Sequence, residues 1–178
     1  MQKHFTTRNI VLCGIVAALY IALVGMFSMI SFRVFQVRVA EALTVLPFLF
    51  PITALGLFVG AFLSNLLWGL GALDVIIGST ATLIAGLMTA WMAKKVPIKW
   101  FAPIPPIVIN ALLVPLILLA YLDTVLHSYL FMASMIMVGQ MAAAAGFGLP
   151  LLFILEKIPA IKAWREEDNE IINKRKQP

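Results

Sequence analysis

The sequence predicts an all-α integral membrane fold of six transmembrane helices with both termini cytoplasmic. Three observations carry that expectation. The chain of 178 residues is 62% hydrophobic and only 12% charged, where a soluble domain carries about a quarter charged residues. Its mean hydropathy is +1.02. Apolar stretches of span length recur along it, and at about 20 residues per crossing the chain holds about six crossings and little else. A large soluble domain on the same chain is therefore excluded, and no G-x-x-x-x-G-K-[ST] loop is present to cradle phosphates. The net charge of +5 marks cytoplasmic segments of a membrane protein and not a nucleic-acid face. With only His4, His127 and Cys13 available, no structural zinc site can be assembled. Cys13, alone in an apolar stretch, reads as a small hydrophobe.

The first span covers residues 9–30. Lys3 and Arg8 precede it as they would a signal peptide, but the run has full span length and lacks a small-x-small cleavage site before a polar start. Residues 41–70 carry no charge after Glu41 and are interrupted by Pro47 and Pro51. Charge parity decides how often they cross. A single crossing strands Lys94, Lys95, Lys99 and the basic tail outside, against the rule that Lys and Arg stay in the cytoplasm. Two crossings put eleven of the 13 basic residues inside and leave two, Arg33 and Arg38, outside. The expectation is thus two short helices turning near residues 51–53, where proline disfavours continuation. Residues 75–92, 103–122 and 128–155 supply the other spans, the last long enough to tilt. The outer loops fall at 31–40, 69–74 and 123–127. Residues 1–156 then form the membrane domain, and 157–178 a polar cytoplasmic tail expected to be a solvated helix or a frayed end.

Features that carry chemistry are few. Gly14, Ala18 and Ala22, four apart, make a flat stripe on the first helix, suited either to internal packing or to docking of a partner helix. Gly56, Gly60 and Ser64 repeat the pattern on the third helix, where internal packing is the expectation. Arg38 and Glu41, three apart at a helix start, are placed to face each other, either as a structural ion pair that fixes the loop or, with Arg33, as a gate over a site opening outward. Asn65, Asn110 and Gln140 lie within spans, and amides in a bilayer must find partners inside the bundle. Trp68, Tyr121 and Tyr129 sit near outer ends, as an interfacial belt or a stacking surface. Asp74 is expected to cap the fourth helix. Asp74 and Asp123 lie at boundaries, so they do not make the close intramembrane pair an aspartic protease needs. His127 in a loop beside Ser128 does not make a buried serine-histidine pair either. The run of small residues after Gln140, from Ala142 to Gly146, permits close helix packing or space for a bulky ligand. No catalytic constellation, covalently bound cofactor or metal site is expected.

The segment Arg38-Val39-Ala40-Glu41-Ala42-Leu43-Thr44-Val45-Leu46-Pro47-Phe48-Leu49-Phe50-Pro51 resembles the R-V-x-E-A-L-T-x-L-P-F-x-F-P segment of the QueT family. Residues 56–65, Gly71-Ala72-Leu73-Asp74 with Gly78-Ser79, Pro105-Pro106 with Asn110-Ala111-Leu112, and Gly148-Leu149-Pro150-Leu151 extend the resemblance over residues 9–155.

The resemblance implies the S-component fold of energy-coupling factor (ECF) transporters, multi-pass in a prokaryotic cell membrane. In that reading the chain binds a vitamin or micronutrient from outside. It docks on an ECF membrane scaffold subunit joined to two ATPase subunits, which use the ATP, and it binds no nucleic acid. Asn65, Trp68, Asp74, Asn110, Tyr121 and Gln140 would line the substrate site. Arg33, Arg38 and Glu41 would gate it, and Gly14, Ala18 and Ala22 would meet the scaffold. The family pattern has Glu where this chain has Gln140. An aminomethyl cation would want a carboxylate there, so the substitution favours cobalamin as substrate, with a queuosine precursor as the alternative. A stand-alone secondary transporter, which needs an ion-coupling carboxylate near the midplane, is the remoter alternative, and a small membrane enzyme a further one.

Overall fold

The computed structural model describes residues 7–27, 38–122 and 126–174. Among them the chain is helical throughout, with no strand. Four helical stretches are long and apolar enough to cross a membrane: Thr7–Met26, Asp74–Lys95, Lys99–Tyr121 and Tyr129–Lys157. Two shorter apolar helices, Val39–Phe48 and Thr53–Trp68, stand where residues 41–70 were expected to break in two.

Helix α1 (Thr7–Met26) buries Val16, Ala17, Tyr20 and Val24 along one stripe. It leaves Ile10, Val11, Ile15 and Leu19 on the outside. Helix α2 (Val39–Phe48) is a 3-10 helix with Pro47 inside it, and every residue from Ala40 to Phe48 is buried. Runs of 3-10 structure longer than about four residues are uncommon, and this one is encased by α1, by the later helices and by a π-helical segment. Helix α3 (Thr53–Trp68) follows after the turn at Pro51–Ile52. Helix α4 (Asp74–Lys95) opens with a π-helical turn, Asp74–Gly78. It closes with Lys94 and Lys95 in its last turn, where cations suit the helix dipole. Helix α5 (Ile104–Leu122) carries Pro105 and Pro106 in its first turn, where no amide hydrogen is required. Helix α6 (Leu126–Gln140) passes through a π-helical segment, Met141–Phe147, into α7 (Gly148–Lys157).

The contacts set the direction of each rod. A Cβ on Gly56 would stand 2.6 Å from the Cys13 carbonyl oxygen, and one on Gly60 2.8 Å from the Tyr20 Cβ. Both registers advance together, so α1 and α3 run parallel and close. The chain between them must therefore return the length of the bundle, and α2 does so. Tyr20 of α1 meets Glu41 near the start of α2, while Cys13 donates to the Ile52 carbonyl just beyond its end, at 3.2 Å. Helix α4 runs against α3, with Gly78 at Asn65 and Gly86 at Ala54. Helix α5 runs against α4, from Ala102 beside Thr89 to Tyr121 beside Leu73.

At the other end of the molecule the first half of α8 (Pro159–Lys174) packs on the bundle. Trp164 packs on Phe50 with ring centroids 5.0 Å apart, and the Arg8 guanidinium sits 4.4 Å from the same indole. Arg8 also pairs with Glu167 at 2.6 Å. Glu156 receives Lys99 and Arg165. A groove of about 480 Å³ runs beside this cluster, lined by Leu49, Ile161, Lys162 and Glu166 among others.

Candidate functional site

The polar interior is assembled at the end of the bundle opposite α8. Glu41, 1% exposed, is its centre. The Tyr20 hydroxyl donates to Glu41 Oε1 at 2.6 Å, and Asn110 Nδ2 donates to Oε2 at 3.2 Å. Arg38 approaches Asp74 across the bundle, Nη2 to Oδ1 at 3.6 Å, with both side chains buried. Asp74 Oδ2 accepts the Leu70 amide at 3.1 Å, and Asn65 Nδ2 donates to the Asp74 carbonyl at 3.0 Å. Five helices therefore converge: α1 through Tyr20, α2 through Arg38 and Glu41, α3 through Asn65, α4 through Asp74 and α5 through Asn110.

Two sequence expectations are corrected here. Arg38 and Glu41 were expected to face each other; instead Arg38 reaches Asp74, and the carboxylate of Glu41 is held by Tyr20 and Asn110. The cause is burial: a helix enclosed on all sides offers both residues partners from its neighbours. Asp74 was expected to cap the fourth helix. Helical backbone begins already at Ala72, and Asp74 stands inside the π turn that follows. Its carboxylate binds Leu70 behind it and Arg38 across from it.

Glycine makes the cluster compact. A Cβ on Gly78 would fall 2.7 Å from Asn65 Nδ2 and 2.9 Å from Asp74 Oδ1. Gly71 has φ +148°, a conformation that favours glycine, and the Tyr121 hydroxyl fills the space a side chain would need.

Two further expected site residues lie beside this core. Tyr121 is 42% exposed, and its hydroxyl accepts the Leu73 amide at 3.3 Å. Trp68, 38% exposed, lays its ring against Gly25. Both stand at the rim. Gln140, 5% exposed, sits where α6 turns π-helical. Arg33 lies outside the described residues. Sequence reasoning missed Tyr20, which is fully buried. Its position in mid-span was the available signal, because a phenol there must find a hydrogen-bond partner inside the bundle.

Unsatisfied atoms remain. Ser64 Oγ, Asn65 Oδ1 and Gln140 Oε1 are buried without a hydrogen-bond partner among the described residues. Leaving such atoms unpaired costs about 1–3 kcal/mol each. Two of the three are pure acceptors, so what they lack is a donor.

The two small-residue stripes separate. Gly56, Gly60 and Ser64 are buried, the two glycines directly against α1. Gly14, Ala18 and Ala22 are on the exposed face of α1, and a Cβ on Gly14 would have nothing within 4 Å.

These features define a class: a helical membrane protein with three buried charged residues, Arg38, Glu41 and Asp74, gathered in one interior cluster behind an apolar exterior. The particular family follows from comparison with known proteins. The model of the family described as QueT transporter matches residues 10–157, and the chain belongs to that family. No curated protein and no solved structure matches the chain.

Proposed function

We propose that the chain is the substrate-capturing S component of an ECF-type importer, crossing the membrane six times with both termini cytoplasmic, and that its substrate is a queuosine precursor. The carrying observation is the charge of the interior. Arg38 pairs with Asp74 in a buried cluster that also holds a second carboxylate, Glu41, and an unpaired acceptor at Asn65; a further unpaired acceptor is buried at Gln140. A ligand with an ammonium group and further N–H donors satisfies both deficits at once. Family membership supports transport, and the family's name fits a queuosine precursor better than cobalamin. The argument for cobalamin rested on Gln140 removing a negative charge and on the small residues after it adding room; Glu41 and Asp74 supply the charge from other helices, which undoes the first.

The alternating helix directions support six crossings, and α8 would then lie at the cytoplasmic end with the basic residues. The exposed Gly14, Ala18 and Ala22 face would meet the scaffold subunit, whose two ATPase partners supply the energy. Titration of the detergent-solubilised chain with an aminomethyl-bearing queuosine precursor and with cobalamin tests the substrate. Saturable heat with the precursor alone is expected, and binding of cobalamin alone would sink this reading.

A further inference from the structure

We propose that Arg38 is a hand-over counter-ion, which neutralises Asp74 in the empty protein and yields it to the ammonium of an arriving ligand while turning to Glu41. The inference rests on the reading above that Asp74 and Asn65 belong to the substrate site. The two carboxylates are held differently. Both oxygens of Glu41 accept hydrogen bonds, at 2.6 and 3.2 Å, whereas Asp74 Oδ1 has its guanidinium at 3.6 Å. The pairing of Asp74 is thus the looser of the two. Beside it Asn65, 2% exposed, binds the Asp74 backbone through its Nδ2 and leaves Oδ1 unpartnered among the described residues. An ammonium at Asp74 has that amide oxygen as a second acceptor.

Arg38 has somewhere to go. It immediately precedes α2, and its carbonyl accepts the Glu41 amide at 2.9 Å, so Glu41 lies one turn away. Tyr20, Asp74 and Glu41 all act electrostatically on the guanidinium. Stranding a buried charge is strongly unfavourable. The hand-over leaves none stranded: the ligand takes Asp74, Arg38 takes Glu41, and a cluster of two carboxylates and one cation becomes neutral.

The test is calorimetry on the full chain in detergent, using the aminomethyl-bearing queuosine precursor and an analogue with a neutral hydroxyl in place of the amine. Arg38→Gln should tighten amine binding by about tenfold, since it removes a competing cation, and leave the analogue within about threefold. Glu41→Gln, which keeps an acceptor for Tyr20, should weaken amine binding by about tenfold because Arg38 loses its second partner. Asp74→Asn should bring the amine down to the affinity of the analogue. Arg38→Gln weakening both compounds alike, or Glu41→Gln leaving the amine unaffected, would overturn the hand-over while the wild-type chain still binds the precursor. A wild-type chain that binds neither compound overturns the substrate reading and the hand-over with it.

Discussion

Tyr20 shows how much one side chain can organise. It is an aromatic residue in an apolar helix, yet its hydroxyl is the closer of the two hydrogen-bond donors to the buried Glu41 carboxylate, at 2.6 Å. Tyr20→Phe keeps the ring and removes the donor. The expected result is a loss of about 1–3 kcal/mol, because an acceptor is left buried and short of a partner. A lower thermal midpoint in detergent would register that loss; an unchanged midpoint would show that the hydroxyl contributes nothing to the fold. The amides were legible as interior residues from residue type and depth alone. Which residue each would serve was not, since Asn65 and Asp74 lie on separate helices and Asn110 reaches Glu41 across 69 positions of chain.

At the scale of elements, two stripes of similar spacing have opposite fates. Gly56 and Gly60 admit the backbone of α1 to a distance no side chain would permit, whereas Gly14 looks outward. Spacing alone marks both as places of close approach; only the packed neighbours distinguish an internal seam from a free face. Gly56→Ala places a methyl 2.6 Å from the Cys13 carbonyl oxygen and 2.9 Å from its Cα. Backbone atoms cannot step aside as a side-chain tip can, so a cost of about 1–3 kcal/mol is expected. Gly14→Ala meets nothing and should be neutral or slightly stabilising, because alanine is the better helix former. Parallel melting curves of the two variants decide the matter, and equal destabilisation would refute the assignment of the seam.

Across the whole molecule, the exterior and the two ends divide the work. Large apolar side chains such as Leu66, Ile76, Leu87, Phe131 and Val138 cover the outside. The polar cluster occupies one end, and α8 closes the other through Trp164, Arg8 and Glu167. If the outward face of α1 is the scaffold contact, Ala18→Trp should abolish ATP-dependent uptake in vesicles carrying the complete transporter while leaving substrate binding by the isolated chain intact. Loss of both together would place Ala18 in the fold or the site, and uptake at the wild-type rate would remove α1 from the docking surface.

By itself the sequence determined the membrane fold class, the break of residues 41–70 into two short helices and the identity of most polar residues in the interior. It could do so because hydropathy, proline and charge act locally: each is read within a window of about 20 residues, the length of one crossing. It also carried the family resemblance, in a motif running from Arg38 to Pro51. Only the tertiary structure decided the partners. Arg38 meets Asp74 and Glu41 meets Tyr20 because α2 is enclosed by helices from both halves of the chain. Interior charges are matched by distance in space, through a medium that screens them little, and that distance has no counterpart along the chain.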